Sequence, residues 1–245
     1  PLELGDAMTS TGEQLPRADV ILTNPPFGTK TGGRAPTRSD FTFRTSNKQL
    51  NFLQHVYRNL KPGGRAAVVL PDNVLFEDGA GRDIRRDFLE KCDVHTILRL
   101  PTGIFYAAGV KTNVVFFNRG KTDKGNTEAV WVYDARTNMP SFGKRTPFVR
   151  EEHLGPFEEA FGGDRMGHGL RVDQGEMGRW RRFGREEIEG RNWSLDLSWL
   201  RDDSAGAGQA TAEPDEIAQE ISEALRIALT EMDELRRHLE LVSER

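Results

Sequence analysis

Asn24, Pro25, Pro26 and Phe27 stand consecutively, directly after the largely apolar run Ala18-Asp19-Val20-Ile21-Leu22-Thr23. These four residue types suit one difficult reaction. An exocyclic aromatic amine is a poor nucleophile because its lone pair is delocalised into the ring. Two acceptors aimed at its hydrogens, the Asn24 side-chain oxygen and the Pro25 carbonyl, would favour a more tetrahedral nitrogen with an available lone pair. The prolines fix their own φ and restrict the residue before each, so the acceptors need little reorganisation. Phe27 offers a flat face for stacking, a contact worth about 1–3 kcal/mol per base in single-stranded nucleic-acid binding. The same four residues also describe a proline-stopped strand with an asparagine turn. The order of segments around them favours the chemistry.

Residues 18 to 23 read as a buried parallel strand that stops where Pro25 removes the next donor. Ligands collect outside the carboxyl ends of such strands, which is where Asn24 falls. The stretch 28 to 46 reads as a long surface loop, and loops of that length are often binding loops. In and beside it Lys30, Arg34, Arg38, Arg44 and Lys48 face only Asp40, a basic patch suited to phosphate contact. From Asn47 the pattern turns helical, with Leu50, Leu53 and Tyr57 recurring beside Phe52, Val56 and Leu60. Lys61-Pro62-Gly63-Gly64 is expected to stop that helix, and Arg65 to Leu70 to form a second buried strand. Strand, helix, strand at this spacing is a parallel crossover unit.

A further helix is expected over Gly81 to Lys91, then strands at Val94 to Leu100 and Thr112 to Asn118. Their short connection predicts an antiparallel pair at the edge of the sheet. Ala129 to Tyr133 suits one more strand. Beyond residue 135 periodicity fades, and 136–200 reads as an irregular arm packed on the core. Residues 201–213 read as a linker. In 214–245 the apolar or small positions 217, 221, 224, 228, 232, 235, 239 and 242 form an amphipathic helix with a seam for a partner helix. The domain expectation is therefore a catalytic portion over 1–135, the arm, the linker and the helix.

Composition narrows the class. With 36% hydrophobic and 29% charged residues and no long apolar run, the chain reads as a polar globular protein without a membrane span. The single cysteine, Cys92, excludes an intrachain disulfide and suits a reducing, cytoplasmic setting, with Cys92 an inert buried thiol. A net charge of -4 argues against a wholly basic nucleic-acid coat while leaving room for local basic patches. The chain starts at Pro1 with no leader-like segment, and is expected to be a fragment or a processed product. His55, His95, His153, His168 and His238 are scattered singly, which indicates no metal site.

The tetrad Asn24-Pro25-Pro26-Phe27 resembles the catalytic motif of amino-group methyltransferases that use S-adenosylmethionine. Three further stretches, LNFLQHVYRNLKPGGRAAVVLPDNVLF at 50–76, RLPTGIFYAAGVKTNVVFF at 99–117 and RNWSLDLSWL at 191–200, look like the modification subunit of type I restriction-modification systems. The resemblance covers nearly the whole chain. It implies an α/β fold, the C-terminal part of a doubly wound, Rossmann-like methyltransferase sheet. It also implies methyl transfer from S-adenosylmethionine to the N6 amine of an adenine in DNA. Asn24 and Pro25 would bind the amine, within a catalytic set completed by Pro26 and a stacking Phe27, and the adenine would have to leave the duplex stack. Asp6 would reach the adenine end of the cofactor. The implied partners are DNA, a specificity subunit docking on the terminal helix, and a restriction subunit.

One family feature is missing from these 245 residues: the glycine-rich loop that holds the methionine end of the cofactor. Gly79-Ala80-Gly81 follows the wrong strand and reads as a loop and helix start. The isolated chain is accordingly expected to be inactive. Asp72-Asn73 and Phe105 also fall at strand ends, but turn chemistry and core packing explain them, and they stay outside the catalytic set. Two other readings compete: an NPP-aromatic methyltransferase acting on RNA guanine or protein glutamine, and a non-catalytic assembly module.

Overall fold

The computed structural model describes residues 4–27, 36–105, 110–143 and 145–202. Lys30, Arg34, the linker expected over 201–213 beyond its first two residues, and the helix expected over 214–245 lie outside the described residues. Six strands form one sheet in the order β1-β2-β4-β3-β5-β6. The strands are β1 (Ala18–Thr23), β2 (Leu60–Pro71), β3 (Cys92–Arg99), β4 (Thr112–Arg119), β5 (Ala129–Asp134) and β6 (Trp180–Gly184). Strands β1, β2, β3 and β5 run the same way, while β4 and β6 are antiparallel to their neighbours. The helices are α1 (Ser10–Gln14), α2 (Lys48–Asn59), α3 (Asp72–Phe76), α4 (Ala80–Lys91), α5 (Arg150–Phe161) and α6 (Arg185–Gly190). Among the described residues no helix is long and apolar enough to cross a membrane.

Alternation along the strands separates two cores. Ile21, Val68, Phe117, Ile97 and Val132 face α2 and α4, where Leu50, Leu53, Tyr57, Ile84 and Phe88 complete the main core. Leu98, Phe116, Tyr133 and Trp180 face the other way and are covered by Phe157 and Phe161 of α5. The Asn47 side chain caps α2 by accepting from the Gln49 and Leu50 amides, leaving its amide nitrogen to bond Glu77 at 2.6 Å. Cys92 is buried, as its type suggested, and burial pushes its thiol well above the ordinary range.

Three expectations need correction. Lys61-Pro62-Gly63-Gly64 lies inside β2 rather than between helix and strand, because α2 ends at Asn59 and pairing with β1 begins at Leu60. The pairing jumps from Ala18/Leu60 to Val20/Arg65, so the extra residues bulge out where Gly63 takes φ +80°. The antiparallel pair β3 and β4 exists, but β4 is interior, between β2 and β3; the antiparallel edge strand is β6. A short connection fixes adjacency and direction, not position in the sheet. Finally, 136–200 is not irregular throughout: it supplies α5, β6 and α6. Gly155 and Pro156 inside α5 hid the helix, since proline removes an intrahelical donor.

The segment after α6 is bound to the main core. Asn192 and Trp193 turn the chain with positive φ, and Arg85, almost fully buried, donates to the carbonyls of Trp193, Val74 and Glu77. The Leu195 amide then bonds the Leu75 carbonyl at 2.8 Å, and Leu195 and Leu197 enter the core.

Candidate active site

The carboxyl ends of β1, β2, β3 and β5 lie along one rim of the sheet, as their common direction requires. Asn24 follows the last residue of β1 at this rim and is exposed, Pro25 behind it is buried, Pro26 is exposed and Phe27 is half-buried. The tetrad therefore combines an anchored backbone with an open side chain. Phe27 meets Phe105 edge to face, with centroids 6.1 Å apart and planes at 73°. Phe105, kept outside the catalytic set although the family resemblance would allow it to touch the flipped base, is thus brought to the tetrad.

A turn after β3 places Phe105. Gly103 has φ +82°, and a Cβ there would lie 1.9 Å from the Phe142 carbonyl oxygen, so only glycine fits. The feet of the 100–111 connection are joined by the Leu100 amide donating to the Thr112 carbonyl at 3.0 Å. Arg136 reinforces both: its Nε donates to Leu100 O at 3.0 Å and its Nη2 to Thr112 O at 2.7 Å.

The same guanidinium pairs with Asp72 through two hydrogen bonds, 2.7 and 3.0 Å long, and the amide nitrogen of the fully buried Asn113 donates to Asp72 Oδ1 at 2.7 Å. Burial would raise the Asp72 pKa, but the hydrogen bonds and charge of Arg136 outweigh it and hold the carboxyl below its ordinary value. Asp134, also buried, accepts from Arg99 Nη1, the amides of Arg136 and Thr137, and the Thr137 hydroxyl. Asn73 donates to Gln49. Asp72 and Asn73 thus hold the rim together.

Asp6 lies ahead of α1 in a side-chain turn. Its Oδ1 accepts from the Met8 amide at 2.9 Å, its carbonyl accepts from the Thr9 amide and hydroxyl, and the residue is exposed. Met8 O accepts from Thr37 N, and Ala7 O from Arg38. The turn is therefore tied to the chain that returns toward α2.

Arg38 departs from the expected phosphate-contacting patch. Its side chain is 0% exposed and forms a two-bond pair with Asp40, at 2.8 and 2.7 Å. It also donates to Asn59, contacts the His55 ring nitrogen and lies over the Phe41 ring. A guanidinium with its donors so engaged cannot also grip DNA. Burial and the Arg38 charge depress the His55 pKa to about 4. Arg44, by contrast, is exposed.

The profile of the N-6 DNA Methylase family matches residues 2–202, and the chain belongs to that family. It is 50% identical to the EcoKI type I restriction enzyme methylase subunit of Escherichia coli K12 over 97% of its own length and 50% of the relative's. It is also 50% identical to the StySPI methylase subunit of Salmonella potsdam, again over 97% of this chain and 50% of that one. The crystal structure of the EcoKI M protein superposes with a TM-score of 0.76, covering 96% of this chain and 53% of that chain. The chain thus spans about half the length of the curated relatives it matches.

Proposed function

We propose that this chain carries the amine-binding half of a type I modification methylase, which transfers a methyl group to the N6 amine of an adenine flipped out of DNA. The observation that carries the reading is the tetrad at the strand end, with Asn24 open, Pro25 anchored and Phe27 set against Phe105. The Asn24 side-chain oxygen and the Pro25 carbonyl accept from the two N6 hydrogens. That directs the nitrogen lone pair away from the ring and stabilises the positive charge that develops there as the new bond forms. Phe27 stacks on the base once it has left the duplex. One of the hydrogens held by the two acceptors then leaves as a proton.

S-adenosylmethionine supplies the methyl group in this scheme, as a sulfonium whose displacement releases a neutral thioether. Asp6 is the residue suited to hold it: Oδ1 is occupied by the Met8 amide, while Oδ2 makes no hydrogen bond among the described residues and can accept one from the adenine end of the cofactor. A glycine-rich loop for the methionine end is not among these 245 residues, so the chain alone is not a competent enzyme. The working protein places this half in a complete cytoplasmic subunit assembled with a specificity subunit, which selects the DNA sequence, and with a restriction subunit.

The test is Asn24→Ala in the complete subunit assembled with its specificity subunit. Removing one preorganised acceptor should lower adenine methylation by about 10²–10³-fold while assembly and DNA binding persist. Methylation close to wild type would sink the acceptor mechanism.

A further inference from the structure

Phe142 is 5% exposed in a stretch whose other members Ser141, Gly143, Arg145, Thr146 and Pro147 are all exposed. It belongs to neither of the two cores. What encloses it lies at the rim instead. On one side the Phe142 amide donates to the Thr102 carbonyl at 2.9 Å, and its own carbonyl oxygen fills the space that a Cβ on Gly103 would need. On the other side its ring meets Phe148 edge to face, with centroids 5.2 Å apart and planes at 87°, and the His153 ring at 4.5 Å and 72°. Phe148 and His153 stack on each other at 5.3 Å. The Val149 amide donates to His153 Nδ1 at 3.0 Å, which ties that stack to the first turn of α5. A large apolar ring is therefore withdrawn from water without adding to the packing on either face of the sheet.

We propose that Phe142 is a positioning residue for the two stacking rings at the tetrad. Arg136 fixes the feet of the 100–111 connection, but the nearer foot, Leu100, is still well short of Phe105 in the chain. Among the described residues, the Phe142 amide is the backbone donor that holds the chain between that foot and the ring. The contacts run without a break from α5 to the tetrad. His153 meets Phe142, Phe142 holds Thr102 and Gly103, and Phe105, two residues further on, meets Phe27. A ring already held in place when the base arrives loses little freedom on stacking, so the hold acts on the reacting geometry rather than on DNA capture. Without it Phe105 stays tethered at Leu100 but can pivot against Phe27. The aromatic cluster of Phe142, Phe148 and His153 is what keeps the hold in register with α5. The inference rests on the methylase reading for what the two rings stack on.

The test uses the complete subunit assembled with its specificity subunit, in single-turnover methylation at saturating DNA and S-adenosylmethionine. A parallel duplex carries 2-aminopurine in place of the target adenine. Phe142→Leu keeps an apolar side chain but loses the ring contacts. Phe148→Ala is the second variant, because Phe148 is only half-buried and its ring contacts are Phe142 and His153. Each should slow methylation per active site by about fivefold, within the loss expected for one aromatic contact, while DNA affinity stays within about twofold of the parent. The double variant should be no slower than the slower single, since both loosen one contact. Emission of the 2-aminopurine should rise in both, because a loosened ring quenches the flipped base less. Parent-like rates in both variants overturn the inference, as do losses that multiply in the double variant or a loss confined to DNA affinity. If Phe142→Leu does not melt cooperatively, Phe148→Ala decides alone. Asn24→Ala in the same assembly separates the two failures. Parent-like methylation by Asn24→Ala defeats the amine-binding reading, whereas an inactive Asn24→Ala beside parent-like Phe142→Leu and Phe148→Ala defeats only the positioning.

Discussion

Arg136 and Asp72 lie 64 residues apart and form a nearly buried, two-bond pair that joins the start of α3 to the end of β5. The pair also decides where the aromatic rings sit, because the remaining donors of Arg136 hold both feet of the connection that carries Phe105. Arg136→Ala leaves the Asp72 carboxylate without its cation and two carbonyls without donors. Removing one member of a buried pair costs about 3–5 kcal/mol. A chemical denaturation midpoint that barely moves would refute the clamp.

Phe105→Ala should leave the fold intact and loosen Phe27. Edge-to-face pairs contribute about 0.5–1.5 kcal/mol beyond burial, so methylation by the complete enzyme should fall by roughly 2–13-fold. The loss should appear in single-turnover rates with unpaired substrate as well as duplex, because the stacking platform is altered rather than the flipping step. Equal rates for variant and parent would confine Phe105 to packing.

Arg38 and Arg44, six residues apart, should behave oppositely. Arg38→Ala abandons Asp40 and the His55 contact in the protein interior and should lower stability by about 3 kcal/mol or more. Arg44→Ala should leave the thermal midpoint in place and reduce the salt dependence of DNA binding by about one ion in the complete enzyme. The measurements are thermal melts and DNA affinity across a salt series. An unchanged salt slope would remove Arg44 from the interface.

Acid should destabilise the fold through two largely buried histidines. Burial, aided by the charges of Arg38 and Arg171 respectively, lowers His55 from 6.5 to about 4 and His95 to about 3. Unfolded chains take up these protons near pH 6.5, and the folded protein does not, so stability falls as pH drops through 6.5 and continues to fall until the folded pKa is reached. The slope should approach about 1.4 kcal/mol per pH unit for each histidine. Denaturation between pH 6.5 and 5 checks the slope, and His95→Gln should flatten it. An identical slope in that variant would contradict the argument.

Local patterns made part of this molecule readable in advance. β1 and α2 follow from their apolar patterning, although β1 is part-exposed rather than buried, and two prolines and an asparagine directly after an apolar run mark the place where that strand stops. α5 stayed hidden because Gly155-Pro156 contradicts helix propensity locally, whereas Phe157 and Phe161 stabilise it through tertiary packing. Arg38 read as surface charge because buried guanidinium groups are uncommon, and its partners His55 and Asn59 lie 17 and 21 residues away. Arg136 offers no local signal at all: its role exists only once β4 has been inserted between β2 and β3.

That insertion has a mechanical consequence. Because β4 runs against its neighbours, the rim where chemistry is proposed receives the end of β3 and the beginning of β4 side by side, and the intervening chain becomes a short span anchored at two adjacent posts. One guanidinium bolts both posts to β5. Any change at the bolt is therefore felt at both posts at once, and from the first of them it reaches the Phe105 ring.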